Sequence, residues 1–345
     1  MANSTPERFG TIFVGAGPGG TGPIVAAVKQ NQLTELLNSP IAVVDRGHAF
    51  GAGAIGRYVI KSDTVGGTLL ECMDGHTDDV YASVVAGGPA QTIAAGRTGA
   101  VPLQVVGQYM GELGQAIRAL IDAHEQSQYL PGVEARQLMR TTDGWQTEVS
   151  SLGDTSGARR ILVSKNVVLG LGGSQNRERT LRAELASGLS VGPKFAHKAL
   201  LTDHVLTEPG VAELRRRLST AATRRVVIIG SSHSAFSSAW VLLNQVGLEF
   251  KAEEIVMLYR QRPKVFYPTP AEAHADGYFD FDDNDLCTLT GRVYRLAGLR
   301  LDSRELLRRI LGLGGLPPER RVRLQDLASL TSDELHALLD QAEVI

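Results

Sequence analysis

Two glycine-bearing turns carry the residues whose types and spacing could do chemistry. The first is Gly15-Ala16-Gly17-Pro18-Gly19-Gly20, which follows the apolar run Thr11–Val14. In the order G-x-G-x-x-G, Gly15 permits a tight turn and Gly17 leaves no Cβ where backbone must approach a pyrophosphate. Gly20 lets a helix pack closely on a strand. The helix expected next carries Val25, Ala27, Val28 and Leu33 at roughly helical spacing, and its first N–H groups are free for an anion. Pro18 and Pro23 fall in or near its first turn, where a missing N–H is tolerated. A second apolar run, Ile41–Val44, ends in Asp45, 30 residues after Gly15. An acid at that place accepts hydrogen bonds from a ribose diol, and Arg46 beside it is counted with the same site.

The second turn is Gly230-Ser231-Ser232-His233-Ser234-Ala235, after the strand-like run Val226–Ile229. The next run, Glu254–Arg260, ends 30 residues after Gly230, the spacing of the first unit. Two strand–turn–helix–strand units of one size predict two dinucleotide folds. Serine at the close-approach position loosens the second fit, while alanine at the third is allowed. Arg260 stands where the first unit has its acid; a guanidinium cannot accept from a diol but pairs well with a 2′-phosphate. A solvated strand-end arginine is the plain alternative. A serine-nucleophile elbow needs G-x-S-x-G, but Ser234 holds the fifth position. That reading would also leave the first turn unexplained. The two sites therefore read as the adenosine half of FAD and as NADPH.

The bulk composition suits a soluble enzyme with two cores. The chain has 345 residues, 43% apolar and 21% charged, with a formal net charge of −2. That charge gives no footprint for nucleic acid or an anionic membrane. Glycine is in excess, 38 residues, and clusters after apolar runs, as close backbone approach requires. Cys72 and Cys287 form no C-x-x-C, which argues against a dithiol, a disulfide framework or a zinc ribbon. No apolar run approaches the ~18 residues that span a bilayer, and no signal-like segment precedes Phe9, so a cytoplasmic protein is expected. Oligomeric state is open, a homo-oligomer included.

On these residues the chain resembles flavoproteins with two dinucleotide-binding domains, and is similar above all to the N-hydroxylating flavin-dependent monooxygenases. Asn166–Gly173 (NVVLGLGG) resembles the strand and glycines that close the first FAD section, with Gly172 as the contact. Gly230–Ala235 resembles the nicotinamide-site turn. The closing segment reads Gly170-Leu171-Gly172 where the family has Ala-Thr-Gly. Phe195-Ala196-His197-Lys198 stands where F-x-G-x-x-x-H would be expected. The chain also stops short of the family's last flavin-contacting glycine and aspartate. The resemblance implies an α/β fold of two Rossmann-like, doubly wound parallel sheets. It divides the chain into an FAD domain over 1–185, an NAD(P)H domain over 186–265 and a helical return segment over 266–345. It implies an NADPH-using monooxygenase that hydroxylates an amine or other heteroatom of a small molecule with O2. A flavin reductase without oxygenation and a non-catalytic nucleotide sensor are the alternatives. No acid–base dyad or triad stands out, so catalytic residues are not assigned.

Several further segments have expectations. Residues 46–110 should hold the flavin-side pocket, with His48, Lys61, Ser62 and Asp63 as substrate-side candidates, each also readable as a structural residue. Val101–Ile121 predicts a core helix after Gly107. Residues 133–163 predict hairpin strands turning at Asp143-Gly144 and Gly153-Asp154. Leu218–Arg225 suits a linker. The acidic run Asp280–Asp285 fails as an EF-hand, because Asp285 stands where that loop needs glycine; no metal site is expected. Helices are predicted near Ser303–Leu313 and Thr331–Ala342, the latter opening on a Thr331/Glu334 capping box. Arg308, Arg309, Arg320 and Arg321 read as a solvated face.

Overall fold

The structure is a computed structural model and describes residues 6–153, 158–186 and 189–345. It forms two compact units, Met1–Arg57 with Val65–Gly173, and Tyr58–Thr64 with Ser174–Ile345.

In the first unit the strands are β1 (Glu7–Val14) and β2 (Ile41–Asp45), with α1 (Pro18–Lys29) between them. Then come α2 (Leu103–Asp122), β3 (Gln128–Pro131), β4 (Val133–Thr141), β5 (Gly144–Ser151) and β6 (Arg160–Leu169). The sheet order is β3-β2-β1-β6-β5-β4; the first four strands pair in parallel and β6-β5-β4 is an antiparallel meander. Continuous apolar runs form these strands because both faces are covered. Phe13, Ile41 and Val43 join the helices on one face, while Ile12, Val14, Ala42 and Val44 pack with Val133, Val149 and Leu162 on the other. The first hairpin turn falls at Asp143-Gly144 as expected; Asp154, in the second, lies outside the described residues.

In the second unit α3 (Glu208–Ser219) leads to β7 (Val226–Ile229), α4 (His233–Asn244) and β8 (Ile255–Tyr259). The chain continues through α5 (Leu301–Leu311), β9 (Val322–Asp326) and α6 (Ser332–Gln341). Strands β7, β8 and β9 are parallel in that order, and Val344 bridges in parallel to Val226 on the free side of β7. Each unit therefore repeats one pattern: third strand, second, first, then a later pairing beside the first.

The structure differs from the expected organisation in several places. The units divide at Gly173 and Ser174 rather than at 185, and residues 266–345 are no appendage, because β9 pairs along all of β8 from Ile255 to Tyr259. Leu218 is fully buried inside α3, so Leu218–Arg225 is an internal connection of the second unit rather than a linker. α1 stops at Lys29 because Asn31 takes φ +56°, a left-handed conformation that ends a helix, and Leu33 opens a separate short helix. Pro23 lies inside α1, beyond its first turn. Among the tail arginines, Arg308 is held by Asp276, with Nε 2.6 Å from Oδ2, and Arg321 by Glu319 at 2.6 Å. These two are paired, not a freely solvated face.

α2 begins at Leu103 and takes Gly107 into its interior rather than starting after it. A Cβ on Gly107 would lie 2.3 Å from the Gly56 Cα, and one on Gly114 2.3 Å from the Phe50 carbonyl oxygen. A glycine costs about 1 kcal/mol relative to alanine inside a helix. Here it lets the helix lie directly on the loop after β2.

The tightest packing joins the three ends that make the first turn. A Cβ on Gly20 would stand 1.7 Å from the Gly15 carbonyl oxygen, and one on Gly170 would stand 2.4 Å from the Gly20 nitrogen. Gly170→Ala must therefore displace α1 or the end of β6. Overpacking of this kind costs about 1–3 kcal/mol, or a fall of roughly 2–12 °C in Tm. Gly173→Ala meets nothing within 4 Å and should leave Tm unchanged. Thermal unfolding of both variants checks this, and equal Tm values would remove the packing argument.

Candidate functional site

The first turn is built from backbone. Gly15 has φ +105°, and its missing Cβ makes room for the Gly170 carbonyl oxygen, 2.2 Å from where that carbon would be. The Gly170 N–H donates to Val14 O at 2.8 Å, and Gly15 N–H to Val44 O at 2.7 Å. The turn thus hangs between β2 and β6. Gly17 is the N-cap of α1, Pro18 is its first residue, no side chain caps it and no acid stands in its first turn. An uncapped helix start carries positive partial charge and attracts an anion. A Cβ on Gly17 would lie 3.3 Å from the Gly53 Cα, and one on Gly19 only 3.6 Å from the Gly170 Cα. Gly17 therefore serves the chain's own close packing as well as leaving room for a phosphate.

Asp45 closes the turn from below. Its Oδ2 accepts from the Ala16 N–H at 2.5 Å and its Oδ1 from the Gly47 N–H at 2.6 Å. A carboxylate offers about four lone-pair sites, so two remain for a diol. Arg46 points elsewhere: it is exposed and its Nε lies 3.5 Å from Glu134. His48 stands over the turn at Gly132. Beside Gly17, residues Ala52–Ala54, Gly56 and Arg57, with Gln104, Gly107 and Gln108 of α2, line an open groove of about 730 Å³. The groove lies within residues 46–110, the stretch expected to hold the flavin-side pocket. Gly51 and Gly56, however, are required by α2, whose Met110 carbonyl and Gly107 they touch.

The second turn repeats the plan more loosely. Gly230 has φ +131°, its N–H donates to Leu258 O at 2.9 Å, and the nearest atom to a Cβ there would be the Ala235 Cβ at 3.7 Å. Ser231 Oγ donates to Gln261 O at 3.0 Å, tying the turn to the loop after β8. Ser232 is the N-cap of α4; it makes no side-chain cap, and no acid stands in the first turn. Ser232 and Ser234 are exposed. Arg260, just past β8, is exposed and has no ion pair among the described residues, while Arg262 is taken by Asp280 at 3.4 Å. The acids of the 280–285 run are likewise engaged: Asp285 faces Lys264 at 3.4 Å and forms a capping box with Asp282.

Of the four substrate-side candidates, Asp63 meets a residue of the second glycine turn. Its Oδ2 lies 3.8 Å from His233 Nε2, within the second unit. Burial holds the His233 pKa below the ordinary histidine value; Asp63 opposes that shift and Arg300 adds to it. Lys61 pairs with Asp302 at 3.5 Å, and Ser62 is buried, donating to Thr64 O at 2.5 Å. The sequence reading did not single out Gly53, and it read Gly170 only as a departure from the family's alanine. Their signal is a Cβ exclusion made by residues distant in the chain.

No model of a known protein family matches the chain. It is 31% identical over 323 residues to the CMP-5'-(3-aminopropyl)phosphonate hydroxylase of Streptomyces rubellomurinus (strain ATCC 31215), covering 89% of this chain and 69% of that one. Among solved structures it is similar to the ornithine N-hydroxylase of Kutzneria sp. 744, with TM-score 0.51, 12% identity and 93% and 72% of the two chains covered. The ornithine hydroxylase of Pseudomonas aeruginosa gives TM-score 0.50, 13% identity and 93% and 73% coverage. No helix among the described residues is long and apolar enough to cross a membrane. With two Rossmann-type units, each with an uncapped helix after its glycine turn, the chain belongs to the hydroxylase family of the Streptomyces protein, on the fold of the flavin-dependent N-hydroxylating monooxygenases.

Proposed function

We propose that this protein is an FAD-dependent, NADPH-using monooxygenase of the cytoplasm that hydroxylates the amine nitrogen of a small molecule. The observation that carries the reading is the duplicated turn, placed in each unit beside the first strand of a sheet of one order. The relative's name supports an aminoalkyl group on a phosphonate or nucleotide carrier as the substrate class.

Both turns fit their nucleotides on structural grounds. Gly15 and Gly20 let the backbones of β1, α1 and Gly170 close on one another, and Gly17 caps α1 without a side chain, which fixes where the helix start points. The helix starts α1 and α4 each offer N–H groups with no competing acid. Gly15–Gly20 and Asp45 would hold the FAD, with Asp45 accepting from the ribose through its remaining lone pairs. Gly172, exposed at φ +68° after β6, has open space around it for the same cofactor. Gly230–Ser234 would hold the NADPH pyrophosphate, and Arg260 its 2′-phosphate. The chemistry that bound flavin supplies is acceptance of hydride from NADPH and activation of O2 for transfer to a nucleophilic nitrogen. The chain's own part is binding, orientation and exclusion of water, which accords with the lack of an acid–base triad.

Three measurements test this. The purified protein should be yellow or take up FAD, and should oxidise NADPH with release of hydrogen peroxide when no substrate is present. Oxidation only with an artificial acceptor would favour a reductase, and a chain that never binds flavin would favour a sensor. Asp45→Ala removes a charge-assisted acceptor worth about 1.5–3 kcal/mol, so its FAD dissociation constant should rise roughly 10- to 100-fold. An unchanged constant by flavin-fluorescence titration would leave Asp45 as a brace for Ala16 and Gly47 only. Arg260→Ala should slow flavin reduction by sub-saturating NADPH roughly 10-fold and leave NADH nearly unchanged. Equal losses with both nucleotides in stopped flow would take the 2′-phosphate from Arg260.

A further inference from the structure

Residues Tyr58–Thr64 leave the first unit and are built into the second. Val59 N–H donates to Leu206 O at 2.9 Å, Gln245 Nε2 donates to Val59 O at 2.9 Å, and Tyr58 Oη donates to Asp203 at 2.6 Å. Tyr58, Val59 and Ile60 pack on the core formed by β7, α4 and β8. The strap then runs as strand, so alternate residues share a face. Lys61 and Asp63 point the same way, to Asp302 and His233, while Ser62 turns inward.

His233 is the first residue of α4, at the mouth of the second turn. Its side chain is 33% exposed, yet its Nε2 is buried and has no hydrogen-bond partner. Two charged groups face the ring: Asp63 from the strap, 3.8 Å away, and Arg300 from the start of α5. Arg300 itself lies over the Phe266 ring, 4.6 Å from its centre.

We propose that His233 is a nucleotide-positioning residue that takes up a proton when the pyrophosphate binds, with Asp63 as the fixed counter-charge that makes the uptake possible. This rests on the reading of the Gly230 turn as the nicotinamide nucleotide site. In the free protein, burial and Arg300 hold the ring neutral at pH 7. A bound pyrophosphate places anionic oxygens at the helix start that His233 begins, and those charges favour the imidazolium. The ring then lies between Asp63 and the phosphates, and Nε2 gains the proton it would donate. The sign follows from linkage. Because the bound state holds one more proton than the free state, affinity rises as pH falls from the bound-state pKa to the free-state pKa, and is level outside that window. A fixed cation would give no such slope.

The test uses the FAD-loaded protein and ADP-ribose, which lacks the 2′-phosphate whose own ionisation near pH 6 would mask the effect. Calorimetric titration from pH 5.5 to 8.5, in buffers of differing ionisation enthalpy, gives both the dissociation constant and the protons taken up. Binding should tighten about tenfold across the window, with uptake of about half a proton at its centre. His233→Gln should abolish both the slope and the uptake, and Asp63→Asn should move the window to lower pH. Binding that is independent of pH, with no proton uptake by the unmodified protein, would overturn the inference and leave the nucleotide site in place. A slope that survives in folded His233→Gln would assign the proton to another group and also overturn it. Failure of both ADP-ribose and NADP+ to bind at any pH would instead defeat the nucleotide reading beneath it.

Discussion

Everything at the first turn depends on the meeting of three glycines without side chains. Gly15 ends β1, Gly20 stands in the first turns of α1 and Gly170 follows β6, and their backbones lie closer than any Cβ would permit. This contact fixes where the start of α1 points, so it fixes where an anion would sit. Side chains brace it too: Asp45 accepts from the Ala16 N–H, and Thr21 Oγ1 donates to Gly17 O at 3.1 Å. The second turn has no such knot. With Ala235 at the third position and the nearest atom 3.7 Å from a would-be Cβ on Gly230, it is held by Ser231 and by Leu258 instead. The tighter site suits a resident cofactor and the looser one a nucleotide that must exchange.

Electrostatics separates the two sites further. Neither helix has an acid in its first turn, so each start keeps positive character, with Asp45 bonded to Ala16 beside the first and Asp63 3.8 Å from His233 beside the second. The first sheet then ends in a carboxylate, Asp45, where the second ends in an arginine, Arg260. Arg46 and Arg262, which adjoin these residues in sequence, are drawn off by Glu134 and Asp280. Arg260, by contrast, is exposed and has no ion pair among the described residues.

The turns and their strands were legible because glycine order, apolar runs and the matching 30-residue spacing are local properties. The parallel pairing in both units follows from strands apolar on every residue, as at Ile41–Val44 and Ile255–Leu258. What was not legible arises from contacts between distant residues. Gly170 looked like a departure from the family's alanine, yet alanine there would strike Gly20. Lys61, Ser62 and Asp63 read as one pocket by adjacency, although strand alternation already implies that Ser62 turns away from the other two. Arg308 looked solvated because its partner Asp276 lies in another segment, and the place of β9 beside β8 depends on pairing that no local pattern encodes.

The central claim is oxygen transfer to an amine nitrogen. Its most direct measurement is mass spectrometry of the product formed from CMP-5'-(3-aminopropyl)phosphonate under ¹⁸O2, with FAD and NADPH present. The account predicts one labelled oxygen on the amine nitrogen. NADPH consumption in which all label passes to peroxide or water, across this and related aminoalkyl phosphonates, would contradict it.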